Sequence, residues 1–124
     1  MKRLFHPSLD DITVQDILHA LSDPVRVWIY VEIANSDCSQ ICSAFLEMEN
    51  RTLPKSTLSQ HFKVLREAGL IRSERKGIEL HNTARCEDLR ERFGPLVGAI
   101  VEAYSQQCKR KKALIATPSL NSTA

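Results

Sequence analysis

The chain has 124 residues, 43% of them hydrophobic, which is enough for one modest core and the usual size of a single domain. Its 17 basic and 15 acidic residues leave a net charge of +2, so bulk charge argues neither for a nucleic acid partner nor for a membrane surface. No uncharged apolar stretch approaches the roughly 18 residues of a membrane span, and residues 1–7 lack the apolar core of a signal peptide, so a cytoplasmic protein without membrane contact is expected.

Residues 1–12 read as an N-terminal arm. Thr13 can cap a first helix, in which Val14, Ile17, Leu18 and Leu21 fall on one face of a 3.6-residue period. Ser22 and Asp23 followed by Pro24 signal a second helix start, because proline's missing N–H costs nothing in a first turn; this helix should reach about Asn35. Its run Val27-Trp28-Ile29-Tyr30-Val31 is apolar all round and rich in β-branched residues. A buried strand therefore competes with the preferred reading, a central buried helix.

A short third helix is predicted over residues 39–46, followed by a polar connection through Glu47, Glu49, Asn50 and Arg51. The next helix opens near Pro54 and Ser56, turns Leu58, Phe62 and Leu65 inward, and stops at Gly69, which can take the left-handed cap conformation. Together these two form a helix-turn-helix, with the second as recognition helix. Residues 70–75 and 78–82 alternate as two strands joined across Lys76-Gly77, with Gly77 supplying the positive φ of a tight hairpin. Residues 85–112 read as helix interrupted at Gly94-Pro95, with Val97, Ile100, Val101 and Tyr104 as an apolar stripe that needs a partner surface.

The expected fold is thus mainly α with a small β-hairpin, a winged helix-turn-helix in the order α-α-α-α-β-β-α. The domain should span residues 13–108, dimerisation helices included, and leave 109–124 as a basic, disordered tail that begins with Lys109, Arg110, Lys111 and Lys112.

Leu21-Ser22-Asp23-Pro24-Val25-Arg26 and the longer stretch from Ser56 to Ile71, which reads STLSQHFKVLREAGLI, carry a resemblance. They are similar to the ArsR/SmtB family of winged-helix repressors, and the likeness extends from about Val14 to Tyr104. The resemblance implies a homodimer held by the first and last helices, with two recognition helices presented to successive major-groove faces of duplex DNA. Half-sites about 34 Å apart, or a multiple of that, would then make the operator an imperfect palindrome.

Side chains opposite Leu58, Phe62 and Leu65 must face outward, and those are Ser56, Thr57, Ser59, Gln60 and Lys63. Gln60 is the candidate for a base edge, since its amide pairs bidentately with adenine. Ser56, Thr57, Ser59 and Lys63 suit phosphates, and His61 falls between the two faces. Arg72, Arg75 and Lys76 surround the hairpin turn and could reach the minor groove or its phosphates, which supplies salt-dependent affinity rather than sequence choice. A polar helix face beside a basic hairpin is in general only solvated surface; here the order of the elements favours DNA.

The four cysteines, Cys38, Cys42, Cys86 and Cys108, read in a reducing compartment as buried thiols, metal ligands or redox sensors rather than disulfides. Arsenic-responsive relatives carry Cys-x-Cys at the start of the third helix, whereas here Cys38 and Cys42 stand four apart. Two thiolates alone make a weak metal site, so a thiophilic metal or metalloid effector at Cys38 and Cys42, or their oxidation, is one reading, and a small buried hydrophobe is the other, above all for Cys42. No resident cofactor is expected. The zinc-type pairs of the last helix are absent, since Glu102 has no histidine near it.

No glycine-rich loop or paired-carboxylate motif supports an enzyme. The alternative is a winged helix used for protein contacts without DNA binding. Such a surface should show aromatic or aliphatic anchors where this one shows Ser56, Thr57, Gln60 and Lys63.

Overall fold

A computed structural model describes residues 4–35, 40–41 and 53–116 of the chain. A single 3-10 turn, Leu9–Asp11, leads into helix α1, Val14–Leu21. Thr13 caps α1 by accepting the Asp16 N–H at 3.1 Å. Ile17, Ala20 and Leu21 are buried, whereas Val14 and Leu18 of the predicted apolar face remain exposed.

Helix α2, Pro24–Ala34, starts where the Asp23 carboxylate accepts the N–H groups of Val25 and Arg26 at 2.8 and 3.1 Å, with proline in the first turn. Val27 through Val31 and Ile33 are all buried, which settles the competing readings in favour of a central helix. An element enclosed on every side needs no polar face, so its sequence carries no stripe.

Helix α3, Lys55–Glu67, buries Leu58, Phe62 and Leu65, and the chain leaves it through Gly69 at φ +87°. An added Cβ there would overlap the Ile12 side chain, so the residue is fixed both by its backbone angle and by close packing of the arm. Strands β2, Ile71–Lys76, and β3, Glu79–Ala84, then form the hairpin. Lys76 pairs with Glu79, which makes Gly77-Ile78 the two-residue loop, one position later than expected; Gly77 does carry the positive φ, +67°.

A short strand β1, Gln40–Ile41, pairs antiparallel with β3 and gives a sheet of order β1-β3-β2. This strand falls inside the stretch predicted as a helix over 39–46. The rest of that prediction, Cys38 and Cys42 with it, lies outside the described residues. Two residues of strand are stabilised by an existing edge rather than by their own periodicity, which is why the pattern does not announce them.

Helix α4, Cys86–Leu89, and helix α5, Gly94–Ala116, end the described chain; the break expected at Gly94-Pro95 falls just before it, over residues 90–93, and Gly94-Pro95 open α5, where proline's missing N–H costs nothing. Helix α5 runs past the expected helix end at Lys112 to Ala116, so the first part of the tail expected to be disordered from 109 is helical. A run of lysine and arginine has good helix propensity. The core gathers α1, α2, α3, β2 and the start of α5 around Trp28, Ile29, Tyr30, Phe62 and Leu65. Val97 is buried in it, while Ile100, Val101 and Tyr104 pack against its edge and stay partly open.

Candidate nucleic-acid interface

Helix α3 packs against strand β2 of the hairpin. Ser56, Thr57, Ser59, Gln60 and Lys63 are exposed, while Leu58, Phe62 and Leu65, on the opposite side of the same helix, are buried. The sequence therefore sets both the anchoring and the presentation. Pro54 at the N-cap offers no side-chain acceptor, so among the described residues the N–H groups of Lys55, Ser56 and Thr57 add donors where the helix dipole is positive.

His61 departs from this face. It is half-buried, and its Nδ1 lies 3.4 Å from Nη1 of Arg26. Burial first, and then the Arg26 guanidinium, hold its pKa below the usual histidine range, against an upward pull from Asp23. The neutral ring can accept from Arg26, and its place is between α3 and the start of α2 rather than on the outward surface. Arg26 also donates Nε to the Ala20 carbonyl at 2.8 Å and Nη2 to that of His19 at 3.2 Å. One guanidinium thus satisfies the open end of α1 and links it to α3. Its identity was visible in the Asp-Pro-Val-Arg run; its role required the fold.

Of the wing cations, Arg72 stands at the base and pairs with Asp88 at 3.5 Å, and Lys76 pairs with Glu74 at 3.7 Å. Arg75 is exposed and has no such carboxylate among the described residues. Beyond it Ile78, at the tip, is 99% exposed.

Recognition helix and wing are tied together by a polar cluster that periodicity does not reveal. The Ser73 hydroxyl donates to Oδ1 of the fully buried Asn82 at 2.6 Å and accepts from Arg66 Nη1 at 3.3 Å. Ser73 and Asn82 are register partners on β2 and β3, so this bond crosses the hairpin. Two short polar residues in strand positions otherwise apolar were the only signal.

The arm is fastened to the same place. Ser73 donates its backbone N–H to His6 Nε2 at 2.9 Å, and Arg85 donates to the Pro7 carbonyl at 2.9 Å from a position that is itself buried. Arg85 is held in turn by Asp88 at 2.9 Å, and the Arg85 hydrogen bond keeps the Asp88 carboxyl below the usual carboxylate range.

Among the cysteines, Cys86 is exposed and Cys108 half-buried. The Tyr30 hydroxyl is raised above its ordinary pKa by burial and by a hydrogen bond with Cys86. Among the described residues no three His, Cys, Asp or Glu side chains gather as a metal ion would need, and no helix is long and apolar enough to cross a membrane.

A buried-faced helix with a small polar outer surface, carried beside a basic two-stranded wing, defines a winged helix-turn-helix DNA-binding transcriptional regulator. Residues 48–73 match the family model of bacterial regulatory proteins of the arsR family, a segment that holds α3 and the start of the wing. Over that segment the chain is similar to the helix-turn-helix of arsR-family regulators. Among solved structures, an ArsR-like transcriptional regulator from Rhodococcus sp. RHA1 superposes with a TM-score of 0.51 at 23% identity, over 82% of this chain and 87% of that one. At that identity the likeness is one of fold. No curated protein matches the sequence.

Proposed function

We propose that the chain acts in the cytoplasm as a homodimeric repressor that binds an imperfect palindromic operator. The observation that carries this reading is the outer face of α3, where Ser56, Thr57, Ser59, Gln60 and Lys63 are all exposed on a helix whose other side is locked into the core. Gln60 reads a base edge; Ser56, Thr57, Ser59 and Lys63 hold phosphates with the N–H groups of the first turn. Arg75 is the wing residue best placed for phosphate or minor groove, with Arg72 and Lys76 beside it. His61 supports the helix from behind.

The dimer reading rests on apolar surface left without cover in one protomer. Val14 and Leu18, one turn apart on α1, are 43% and 48% exposed, and Ile100, Val101 and Tyr104 line α5 half-open. A second copy that covers both would bring two α3 helices to one duplex.

Fluorescence anisotropy of the reduced protein on the duplex upstream of its own gene, against a scrambled duplex over a salt series, tests this. Tight binding to the first alone, weakening steeply with salt, is expected. Equal weak binding to both would sink the repressor reading. Addition of arsenite, zinc or peroxide to the bound complex then tests Cys38 and Cys42 as the effector site. Unchanged affinity would remove that assignment.

A further inference from the structure

We propose that His6 is a positioning residue of the wing: the N-terminal arm is a latch that closes the free edge of β2 through the His6–Ser73 hydrogen bond and opens when the ring is protonated.

Three observations meet here. In the sheet order β1-β3-β2, strand β2 has β3 as its one neighbour among the described residues, so its outward N–H groups meet no strand there. Ser73 directs its N–H away from β3 to His6 Nε2 at 2.9 Å. The same residue, through its hydroxyl, joins Asn82 of β3 and Arg66 of α3. The latch therefore acts on the residue through which the recognition helix and the wing are connected, between Arg72 and Arg75.

An imidazole accepts a hydrogen bond only through an unprotonated nitrogen; with both nitrogens protonated it has donors alone. Protonation thus replaces an acceptor facing Ser73 N–H by a second donor and the bond is lost. The surroundings oppose the added charge as well. The positive charges of Arg72 on β2, Arg66 on α3 and Arg85 ahead of α4 all act against a charged ring. The carboxylate of this cluster, Asp88, is engaged with Arg85 and Arg72. Within the arm, Asp10 pairs with Arg92 and Asp11 accepts from Ser8.

Burial is the largest cause that lowers the pKa of His6, followed by Arg72, Arg66 and Arg85, against a smaller upward pull from a hydrogen bond with the Leu4 backbone. The fold favours the neutral ring. Its stabilising contribution is in place above the ordinary histidine range and is lost as pH falls through the depressed value.

Above that range the remaining arm contacts reinforce the latch: Arg85 holds Pro7, and Ile12 packs against Gly69. Below it, the arm lifts from β2, and the wing cations lose their fixed position relative to α3. Protonating histidines on a DNA-binding protein tightens binding by simple charge addition. The latch predicts the reverse, and that sign makes it testable.

The test uses the full chain and three proteins: wild type, His6→Gln, whose amide oxygen can take the place of Nε2 without titrating, and His6→Ala. Amide hydrogen exchange and 15N chemical shift of Ser73 are followed from about pH 7.5 to about pH 5, across the ordinary histidine pKa. Wild type should lose protection of Ser73 in step with the titration of the His6 ring. The glutamine variant should keep it throughout, and the alanine variant should lack it at every pH. A Ser73 amide that stays protected while the His6 ring titrates would overturn the latch.

The effect on DNA rests on the repressor reading above, so it is measured separately, on the duplex upstream of the protein's own gene. Wild-type affinity should fall by about threefold or more over that pH interval, and that of the glutamine variant should not, the signature of a coupling of modest size. Parallel pH curves for the two proteins would remove the coupling to the wing. Failure of all three to bind the duplex would refute the repressor reading, and the Ser73 amide would still decide the latch.

Discussion

Asp23 shows how much one side chain can organise. Its carboxylate caps α2 twice and lies 3.9 Å from Nη1 of Arg26, the guanidinium that closes α1 and reaches His61. Burial pushes the Asp23 pKa up, but the N–H groups of Arg26 and Val25 outweigh it, and the carboxyl ends below its usual range. The carboxylate form is thus favoured by the fold, and its contribution holds at neutral pH and fades as pH falls through the lowered value. Asp23→Ala should cost about 1 to 2 kcal/mol in urea unfolding, with Asp23→Asn recovering most of it because an amide oxygen still caps. A cost near zero for alanine would mean that Pro24 and the buried apolar run start the helix unaided. Gly69 is a second such residue, on grounds of space. Gly69→Ala sets a Cβ into the Ile12 side chain at a positive φ and should destabilise by about 2 kcal/mol or more, read as a lowered urea midpoint with unchanged slope. At Gly77, where nothing lies within 4 Å, the same change carries only the cost of the backbone angle and should be milder.

Among the elements, those with a surface of their own were the legible ones. Helix α3 alternates buried Leu58, Phe62 and Leu65 with exposed polar residues because it separates core from solvent, and that contrast is a period in the sequence. Helix α2 has no such contrast, and its reading had to rest on the Asp23-Pro24 start signal. The strand at Gln40-Ile41 was not legible because the partner β3 supplies its stability. The cluster of His6, Arg66, Ser73 and Asn82 was hidden for a related reason, since four residues from four separate elements carry no shared spacing. For the candidate site this means that the outward side chains of α3 were readable and those that join helix to wing were not. The division of labour proposed for α3 makes a prediction at this scale. Gln60→Ala should relax base preference at one operator position by about 1 to 3 kcal/mol and leave the salt slope unchanged. Lys63→Ala should weaken all duplexes alike and lower the salt slope by about 1. Competition binding against single-base operator variants over a salt series separates the two, and equal losses on every duplex for Gln60→Ala would move that residue to the phosphates.

For the whole molecule, the proposed homodimer turns on which surface would bring two α3 helices to one duplex. Leu18 belongs to the apolar face read from the sequence, yet only Ile17 and Leu21 of its neighbours on that face turn into the core. An exposed leucine one turn from an exposed valine contributes nothing to the monomer that water does not oppose, and it becomes favourable only when a second surface covers it. The exposed Phe5, in the arm that leads into α1, adds to the apolar surface on this part of the chain. Leu18→Glu should therefore leave folding of the protomer nearly intact while the protein shifts from dimer to monomer in sedimentation. Operator affinity should fall by far more than the loss of one contact would cause, because each half-site must then be bound without the other. If Leu18→Glu remained dimeric, α1 would lie outside the interface. The half-open stripe Ile100, Val101 and Tyr104 on α5 would then have to hold the two copies alone, and a charge at Val101 would become the substitution that separates them.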